Sequence, residues 1–217
     1  MDISLIGNSE TLVAILIVTL VTLLFLYRIV YIKSKTRLDL VLLLGPCGTG
    51  KTSLFYLWKN RKVPDTVTSQ VISRGFVLKE KGVDEEVVDC PGHARLRNVA
   101  YELIPRAKKI VYFADPSNAK EAAEHLFQMF VLPKLSPKTE IMICQNKTDM
   151  YGTDVTDLVN QLNKEIQILQ KTKSEDGEYV GVEGENFNIL EHAPVQVIAG
   201  HACVKSASVD QIEKFLR

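Results

Sequence analysis

The sequence predicts an α/β protein with a doubly wound, mostly parallel sheet, preceded by one transmembrane helix. Three observations lead to this fold class. Short apolar runs alternate with stretches of helical spacing throughout residues 38–217, a glycine-rich loop follows the first run, and an uncharged apolar stretch stands before it at residues 12–27. Strands separated by helices pair in parallel through right-handed crossovers, which gives one doubly wound sheet.

The composition fits one globular domain with an appendage. The chain has 217 residues, a formal net charge of zero from 26 basic and 26 acidic side chains, and 46% hydrophobic residues. The hydrophobic content excludes wholesale disorder. The neutral net charge argues against a direct nucleic-acid partner, because proteins that bind nucleic acids are usually basic. The four cysteines are far apart and form no C-x-x-C pair, which excludes a zinc site of that spacing and suits a reducing compartment.

The apolar stretch near the N-terminus predicts a helix that spans a lipid bilayer. Residues 12–27 carry no charge, and the run continues past Arg28 to Ile32. About 20 residues at 1.5 Å each cross a hydrocarbon core of about 30 Å. A cleaved signal peptide would start with basic residues, and a surface-lying helix would show charges at every turn. We therefore expect a transmembrane helix at residues 12–32.

The charges on either side of this segment predict its orientation. Asp2 and Glu10 precede it with no Lys or Arg, whereas the basic residues Arg28, Lys33, Lys35 and Arg37 follow it. The positive-inside tendency places the basic end in the cytosol. Residues 1–11 are then a short lumenal tail, residues 33–37 a basic juxtamembrane linker, and residues 38–217 a cytosolic domain.

Within this domain the periodicity predicts six strands and five helices. The strands are expected at residues 38–44, 69–79, 85–89, 110–114, 141–144 and 195–199. The helices are expected at residues 53–60, 95–108, 118–132, 155–169 and 208–216. Residues 171–190 are mainly polar and contain glycine, which is typical of a surface loop.

The loop after the first strand matches the phosphate-binding pattern G-x-x-x-x-G-K-(S/T). Its glycines let successive backbone N–H groups converge on phosphate oxygens, and the following helix adds a favourable dipole. Lys51 supplies a positive charge to the β- and γ-phosphates, and Thr52 offers a hydroxyl to Mg²⁺. The motif predicts a nucleoside triphosphate and Mg²⁺ as ligands. Its residues are Gly45, Pro46, Cys47, Gly48, Thr49, Gly50, Lys51 and Thr52.

A second motif, N-K-x-D, follows the strand at residues 141–144 and predicts that the base is guanine. The Asp149 carboxylate can accept hydrogen bonds from the N1–H and the exocyclic amine of guanine, which adenine cannot offer. Asn146 can hold the loop together, and the stem of Lys147 can lie over the base. With the phosphate loop, this motif predicts GTP as the ligand.

Between these motifs, D-x-x-G ends the strand at residues 85–89. Asp89 can reach Mg²⁺, and the Gly92 N–H can bond a γ-phosphate oxygen and respond to its loss. A threonine from residues 65–69 can complete the Mg²⁺ shell. Thr68, just before the expected strand, is the preferred candidate for this metal and nucleotide contact, and Thr66 is the alternative.

His93 follows Gly92 and is the candidate catalytic residue. It can orient the attacking water if its tautomer is suitable, or it can be a surface histidine of a mobile loop. The sequence leaves both interpretations open.

Taken together, the motifs resemble those of the Ras-like GTPase superfamily, which implies a P-loop GTPase domain at residues 38–217. The fifth motif of that superfamily, normally S-A-K, is degenerate in this chain. By position after the last strand, the segment from Gly200 to Cys203 resembles its counterpart, which implies that the Ala202 N–H contacts the guanine carbonyl. Ser206 and Ala207 form a second candidate.

The apolar helix narrows the resemblance to the family of signal recognition particle receptor beta subunits. The shared features are the span, DTVTS at residues 65–69, DCPGH-x-x-LR at 89–97, the NKTD loop and the closing QIEKFLR. The resemblance implies a single-pass GTPase of the endoplasmic reticulum membrane, related to the Arf and Sar branch. It also implies a heterodimer in which the switch loops bind the receptor's alpha subunit, for co-translational protein targeting.

Other functions stay open at this point. An Arf- or Sar-like trafficking GTPase would use a detachable amphipathic helix, and a structural anchor would keep GTP bound with little turnover. The N-K-x-D loop disfavours a P-loop kinase. A translational elongation factor is disfavoured because such proteins carry additional β-barrel domains, whereas few residues follow the last expected strand here.

Overall fold

The computed structural model describes the backbone of residues 9–35, 38–63, 68–77, 85–131, 135–173, 179–181 and 185–217. The chain divides into two units, Met1–Arg37 and Leu38–Arg217. The first unit contains the helix α1 (Ser9–Lys35), whose side chains are described for residues 12–28 and are exposed. Within the described residues, no helix combines the length and the apolar character needed to cross a bilayer. The span at residues 12–32 therefore stays a prediction.

The second unit alternates strands and helices. Its strands are β1 (Leu40–Leu44), β2 (Ser73–Val77), β3 (Glu85–Asp89), β4 (Ala107–Ala114), β5 (Glu140–Gln145) and β6 (Gln196–His201). Its helices are α2 (Lys51–Asn60), α3 (Arg97–Tyr101), α4 (Ala119–Val131), α5 (Thr148–Tyr151), α6 (Thr156–Lys173), α7 (Ile189–His192) and α8 (Asp210–Leu216).

The six strands form one sheet in the order β2-β3-β1-β4-β5-β6. All neighbouring strands are parallel except β2, which pairs antiparallel with β3 at the edge. Every residue of β1 is buried, because helices cover both faces of a central parallel strand. The predicted doubly wound, mostly parallel α/β sheet is confirmed.

Two apolar clusters pack on opposite faces of the sheet. On one face, α4 and α6 contribute buried residues such as Leu126 and Leu162. On the other face, α2 and α8 contribute Leu54 and Ile212. This sandwiching holds the strands in fixed register, and therefore fixes where the loops at their ends lie.

The structure differs from the expected elements in three places. The helix expected at residues 95–108 is wrong, because only α3 and short 3₁₀ turns form there and Pro105 cannot donate to a continuing helix. β4 instead begins at Ala107. Of the strand expected at residues 69–79, residues 69–72 are not strand, Ser73–Val77 forms β2, and residues 78–79 lie outside the described residues. Within the expected loop at 171–190, α6 extends to Lys173 and α7 starts at Ile189, while residues 174–178 and 182–184 lie outside the described residues.

The site is positioned by the carboxyl ends of the parallel strands. The ends of β1, β3, β4 and β5 lie at the same edge of the sheet, since these neighbours run parallel in register. The loops that follow them carry the phosphate motif, D-x-x-G, a buried aspartate and N-K-x-D. Ligands of such sheets bind at this edge.

Candidate nucleotide-binding site

The phosphate loop connects β1 to α2, as the sequence predicts. Gly50 precedes α2 with φ +97°, a left-handed conformation that favours glycine. A Cβ at this position would lie 2.1 Å from Asn146 Nδ2. Only glycine therefore lets the N-K-x-D loop (residues 146–149, named here the base-recognition loop) approach the phosphate loop this closely. The backbone here brings two of the predicted motifs together.

Lys51 lies inside this loop and is 5% exposed. Its Nζ donates to the Pro46 carbonyl at 2.6 Å and contacts Thr49 Oγ1 at 3.4 Å. Burial lowers the pKa of the ammonium, and the neighbouring Asp89 carboxylate acts in the opposite direction. Lys51 is therefore a buried donor whose contacts are oxygen atoms of the phosphate loop itself.

Thr52 and Asp89 lie together at the start of α2 and the end of β3. The Thr52 hydroxyl donates to Asp89 Oδ2 at 2.7 Å, while Asp89 Oδ1 is buried without a hydrogen-bond partner. Burial raises the pKa of this carboxyl, and the hydrogen bond from Thr52 opposes the shift. A hydroxyl beside a carboxylate with a free oxygen matches the hard oxygen ligands that Mg²⁺ prefers.

Among the residues of the 65–69 segment that the structure describes, Ser69 brings a hydroxyl to this pair. Its Oγ lies 2.9 Å from Thr52 Oγ1 and donates to Asp89 Oδ2 at 3.4 Å. Thr68, the preferred candidate from the sequence, is exposed, and Thr66 lies outside the described residues. The role of Thr68 stays a prediction. The sequence analysis missed Ser69, although the hydroxyl-rich tract DTVTS was a signal for it.

Gly92 packs directly against the phosphate loop. A Cβ at Gly92 would lie 2.7 Å from the Cys47 N, the Gly45 O and a carbon of Pro46, all of them backbone atoms. The close approach requires glycine and places the D-x-x-G backbone beside the loop. The contact of the Gly92 N–H with a γ-phosphate stays a prediction.

His93 is exposed and begins the 3₁₀ turn Ala94–Leu96. Its Nδ1 accepts a hydrogen bond from the Arg95 backbone N–H at 3.3 Å. This contact occupies the Nδ1 side of the ring. The catalytic role of His93 stays a prediction.

The base-recognition loop is held by side-chain contacts to three segments. Asn146 Nδ2 donates to the Thr49 carbonyl at 2.8 Å, and Asn146 Oδ1 accepts from the Val204 N–H at 3.1 Å. Lys147 Nζ donates to Asp115 Oδ2 at 2.8 Å. Asp149 is exposed in the first turn of α5. The loop is therefore tied to the phosphate loop, to the end of β4 and to the segment after β6.

The segment after β6 meets this loop through Cys203 and Val204. The Cys203 thiol donates to Asp149 Oδ1 at 3.7 Å, next to the Val204 contact with Asn146. The Ala202 N–H donates to the Gln145 carbonyl at 2.9 Å as an extension of the sheet. The base contact of Ala202 stays a prediction. Val204, which the sequence analysis did not single out, is the residue of this segment whose N–H contacts the Asn146 side chain.

Comparisons with known proteins agree with this geometry. A family model described as signal recognition particle receptor beta subunit matches residues 36–194. The signal recognition particle receptor subunit beta of Homo sapiens is 28% identical over 235 residues, covering 96% of this chain and 87% of that protein. The subunit of Saccharomyces cerevisiae is 27% identical over 154 residues, covering 65% of this chain and 62% of that protein.

A solved structure shows the same relationship. The mammalian signal recognition particle receptor superposes with a TM-score of 0.72 at 28% identity, covering 82% of this chain and 97% of that chain. The family model spans well over half of the sequence, including the phosphate, D-x-x-G and N-K-x-D motifs. The chain therefore belongs to the signal recognition particle receptor beta subunit family.

Proposed function

We propose that this GTPase subunit of the signal recognition particle receptor binds GTP with Mg²⁺ and acts as a membrane-anchored switch that holds the receptor's alpha subunit. The observation that carries the proposal is the Asn146 side chain, which joins the phosphate loop to the base-recognition loop at 2.8 Å from Thr49 O. A guanine nucleotide needs both loops, because each contacts a different end of the ligand.

Each loop has a defined task in this proposal. Lys51 and the loop amides hold the phosphates, while Thr52, Asp89 and a switch hydroxyl hold Mg²⁺. The metal supplies positive charge that balances the phosphate oxygens. Asp149 reads the guanine edge, and Lys147 lies along the base. The buried, unpartnered Asp89 Oδ1 supports the metal assignment, since a lone carboxylate oxygen in this place needs a cation or a donor.

Nucleotide selection is tested by equilibrium binding of fluorescent GTP and ATP analogues to the full chain in detergent. We expect the wild-type chain to prefer the guanine nucleotide strongly. The Asp149→Asn variant should prefer xanthosine nucleotides instead, because their base edge has an extra carbonyl. Equal binding of ATP and GTP to the wild-type chain would contradict the proposed function. An Asp149→Asn variant with unchanged preference would remove Asp149 from base recognition.

Hydrolysis is the point on which two functions differ. As a switch, the chain uses the His93 side chain to orient water, and a partner completes the site. As a structural anchor, the chain keeps GTP bound, and the exposed position of His93 favours slow turnover without a partner. Single-turnover hydrolysis with and without the alpha subunit separates them. Partner-dependent turnover that His93→Ala abolishes, with GTP affinity unchanged, supports the switch.

Membrane anchoring by residues 12–32 is part of the proposal. Its support is the uncharged run at residues 12–27 with basic residues after it, and the long helix α1 that contains it. We expect the chain to resist alkaline carbonate extraction from endoplasmic reticulum membranes. A glycosylation acceptor should be modified at the N-terminus alone, because that end is lumenal. Release by carbonate would favour the Arf-like alternative.

Partner binding is proposed to depend on the nucleotide. The D-x-x-G and residue 68–69 segments lie beside the phosphate loop and respond to the γ-phosphate, so they form the expected docking face for the alpha subunit. A pull-down from solubilised membranes with a GTP analogue or GDP tests this. Recovery of the alpha subunit with the GTP analogue, and its loss with GDP, is the expected result.

A further inference from the structure

A buried aspartate outside the predicted motifs lies against the base-recognition loop. Asp115 follows β4 directly and is 0% exposed. Lys147 Nζ donates to its Oδ2 at 2.8 Å, and the Ser117 hydroxyl donates to its Oδ1 at 2.5 Å. Both carboxylate oxygens therefore have a partner, one from its own turn and one from the N-K-x-D loop.

The turn around Asp115 is rigidly built. Asp115 caps the 3₁₀ turn Pro116–Asn118, where the Asp115 backbone N–H donates to Asn118 Oδ1 at 3.1 Å. Asn118 N in turn donates to Asp115 O at 3.1 Å. This turn leads directly into α4, whose buried residues pack on the sheet. Asp115 is therefore a fixed point on the scaffold, and Lys147 is the side chain that is held.

Lys147 needs such support because its backbone is unusual. It has φ +62° and ψ +47°, a left-handed conformation that a residue with a side chain adopts at a cost of about 1–2 kcal/mol. The Lys147 side chain is one-third exposed, whereas the Asp115 carboxylate with which it pairs is fully buried. Asp149 is two residues further along the same loop. The backbone conformation at Lys147 therefore affects the position of the Asp149 carboxylate, which is proposed to bind guanine.

We propose that Asp115 is a positioning residue for guanine recognition, which acts by holding Lys147 and through it the loop that presents Asp149. The inference rests on the proposed function. It predicts that loss of the Asp115 charge impairs base discrimination more than it impairs nucleotide binding as such. The phosphate loop contacts of Lys51 and Thr52 are made elsewhere and stay intact.

The test compares GTP with ITP, because inosine lacks the exocyclic amine that Asp149 reads. We expect Asp115→Asn to lower the ratio of GTP to ITP affinity about tenfold in the full chain in detergent. A purely structural role would weaken both nucleotides by the same factor and leave the ratio unchanged, which would overturn the inference. A wild-type chain that does not prefer GTP over ATP would overturn the proposed function itself.

A matched control uses the ion pair of Asp39 with Arg106, which directly precede β1 and β4 at the edge of the sheet away from the site. Arg106 donates to both oxygens of Asp39, at 3.1 and 2.6 Å. Asp39→Asn also removes one carboxylate charge from an ion pair, and we expect it to leave the GTP-to-ITP ratio unchanged. A fall of similar size in Asp39→Asn would mean that the effect of Asp115 is not specific.

A double mutant tests whether Asp115 acts through Lys147. We expect Asp115→Asn combined with Lys147→Gln to lower the ratio no further than the stronger single variant, because the two residues share one contact. Fully additive losses would overturn the mechanism. If Asp115→Asn does not fold, Lys147→Gln removes the same contact from its other side: a lower ratio supports the inference, and an unchanged ratio overturns it.

Discussion

Replacement of Asn146 by alanine tests how strongly the two nucleotide loops depend on one side chain. Asn146 is buried and makes one bond from each end of its amide, to the Thr49 carbonyl at 2.8 Å and from the Val204 N–H at 3.1 Å. The variant leaves both backbone groups without their partner. At about 1–2 kcal/mol for each orphaned buried group, the loss is about 2–4 kcal/mol.

The assay has two readouts on the full chain in detergent. Urea unfolding measures the loss of stability, and the release rate of a fluorescent GDP analogue measures the loss of binding. If about 1.4 kcal/mol of this loss is a loss of binding free energy, the affinity for the nucleotide decreases about tenfold. Asn163→Ala is the control, since Asn163 Oδ1 accepts from the Ile189 N–H at 2.9 Å, between α6 and α7.

We expect Asn163→Ala to lower stability by about 1–2 kcal/mol without changing nucleotide release. The reasoning is refuted if Asn146→Ala unfolds within about 0.5 kcal/mol of the wild type and releases nucleotide at the same rate. Equal effects of the two variants on nucleotide release would also contradict it, because the bridge between the loops would then have no special role.

Three further predictions concern single side chains. Gly92→Ala should lower GTP affinity more than GDP affinity, measured by competition, because its Cβ would lie 2.7 Å from the Cys47 backbone N and displace the γ-phosphate sensor. Cys203→Ser should strengthen GDP binding by a few fold in titrations, since a hydroxyl is a better donor than a thiol to Asp149; weaker binding would contradict this. Burial, with the charge of nearby cations, lowers the pKa of His125 to about 3 from 6.5, so the unfolded chain binds a proton that the folded chain does not, and stability decreases as pH falls from 6.5 toward 3. In urea unfolding, His125→Gln should reduce that slope by up to about 1.4 kcal/mol per pH unit, and an unchanged slope would show that His125 is not the source.

The local pattern of the sequence was enough for the architecture. The run at residues 38–44 predicts β1 because burial on both faces leaves only apolar residues there. The glycines after it predict the phosphate loop because its left-handed conformations exclude most other residues. Errors arose where a local pattern was ambiguous, as at residues 95–108, where Pro105 and the packing against β1 turn an expected helix into turns and a strand.

The contacts within the site depended on tertiary structure, because they join segments far apart in the chain. Asn146 and Thr49 are 97 residues apart, and no local pattern pairs them. The parallel register of β5 with β6 sets Gln145 opposite His201, which draws the Ala202 N–H into the sheet and leaves Cys203 beside Asp149. The sequence by itself determined which chemical groups and which element order this protein has. Only the packing of the sheet decided which of those groups meet, since a shift of one residue in register changes every contact at the strand ends.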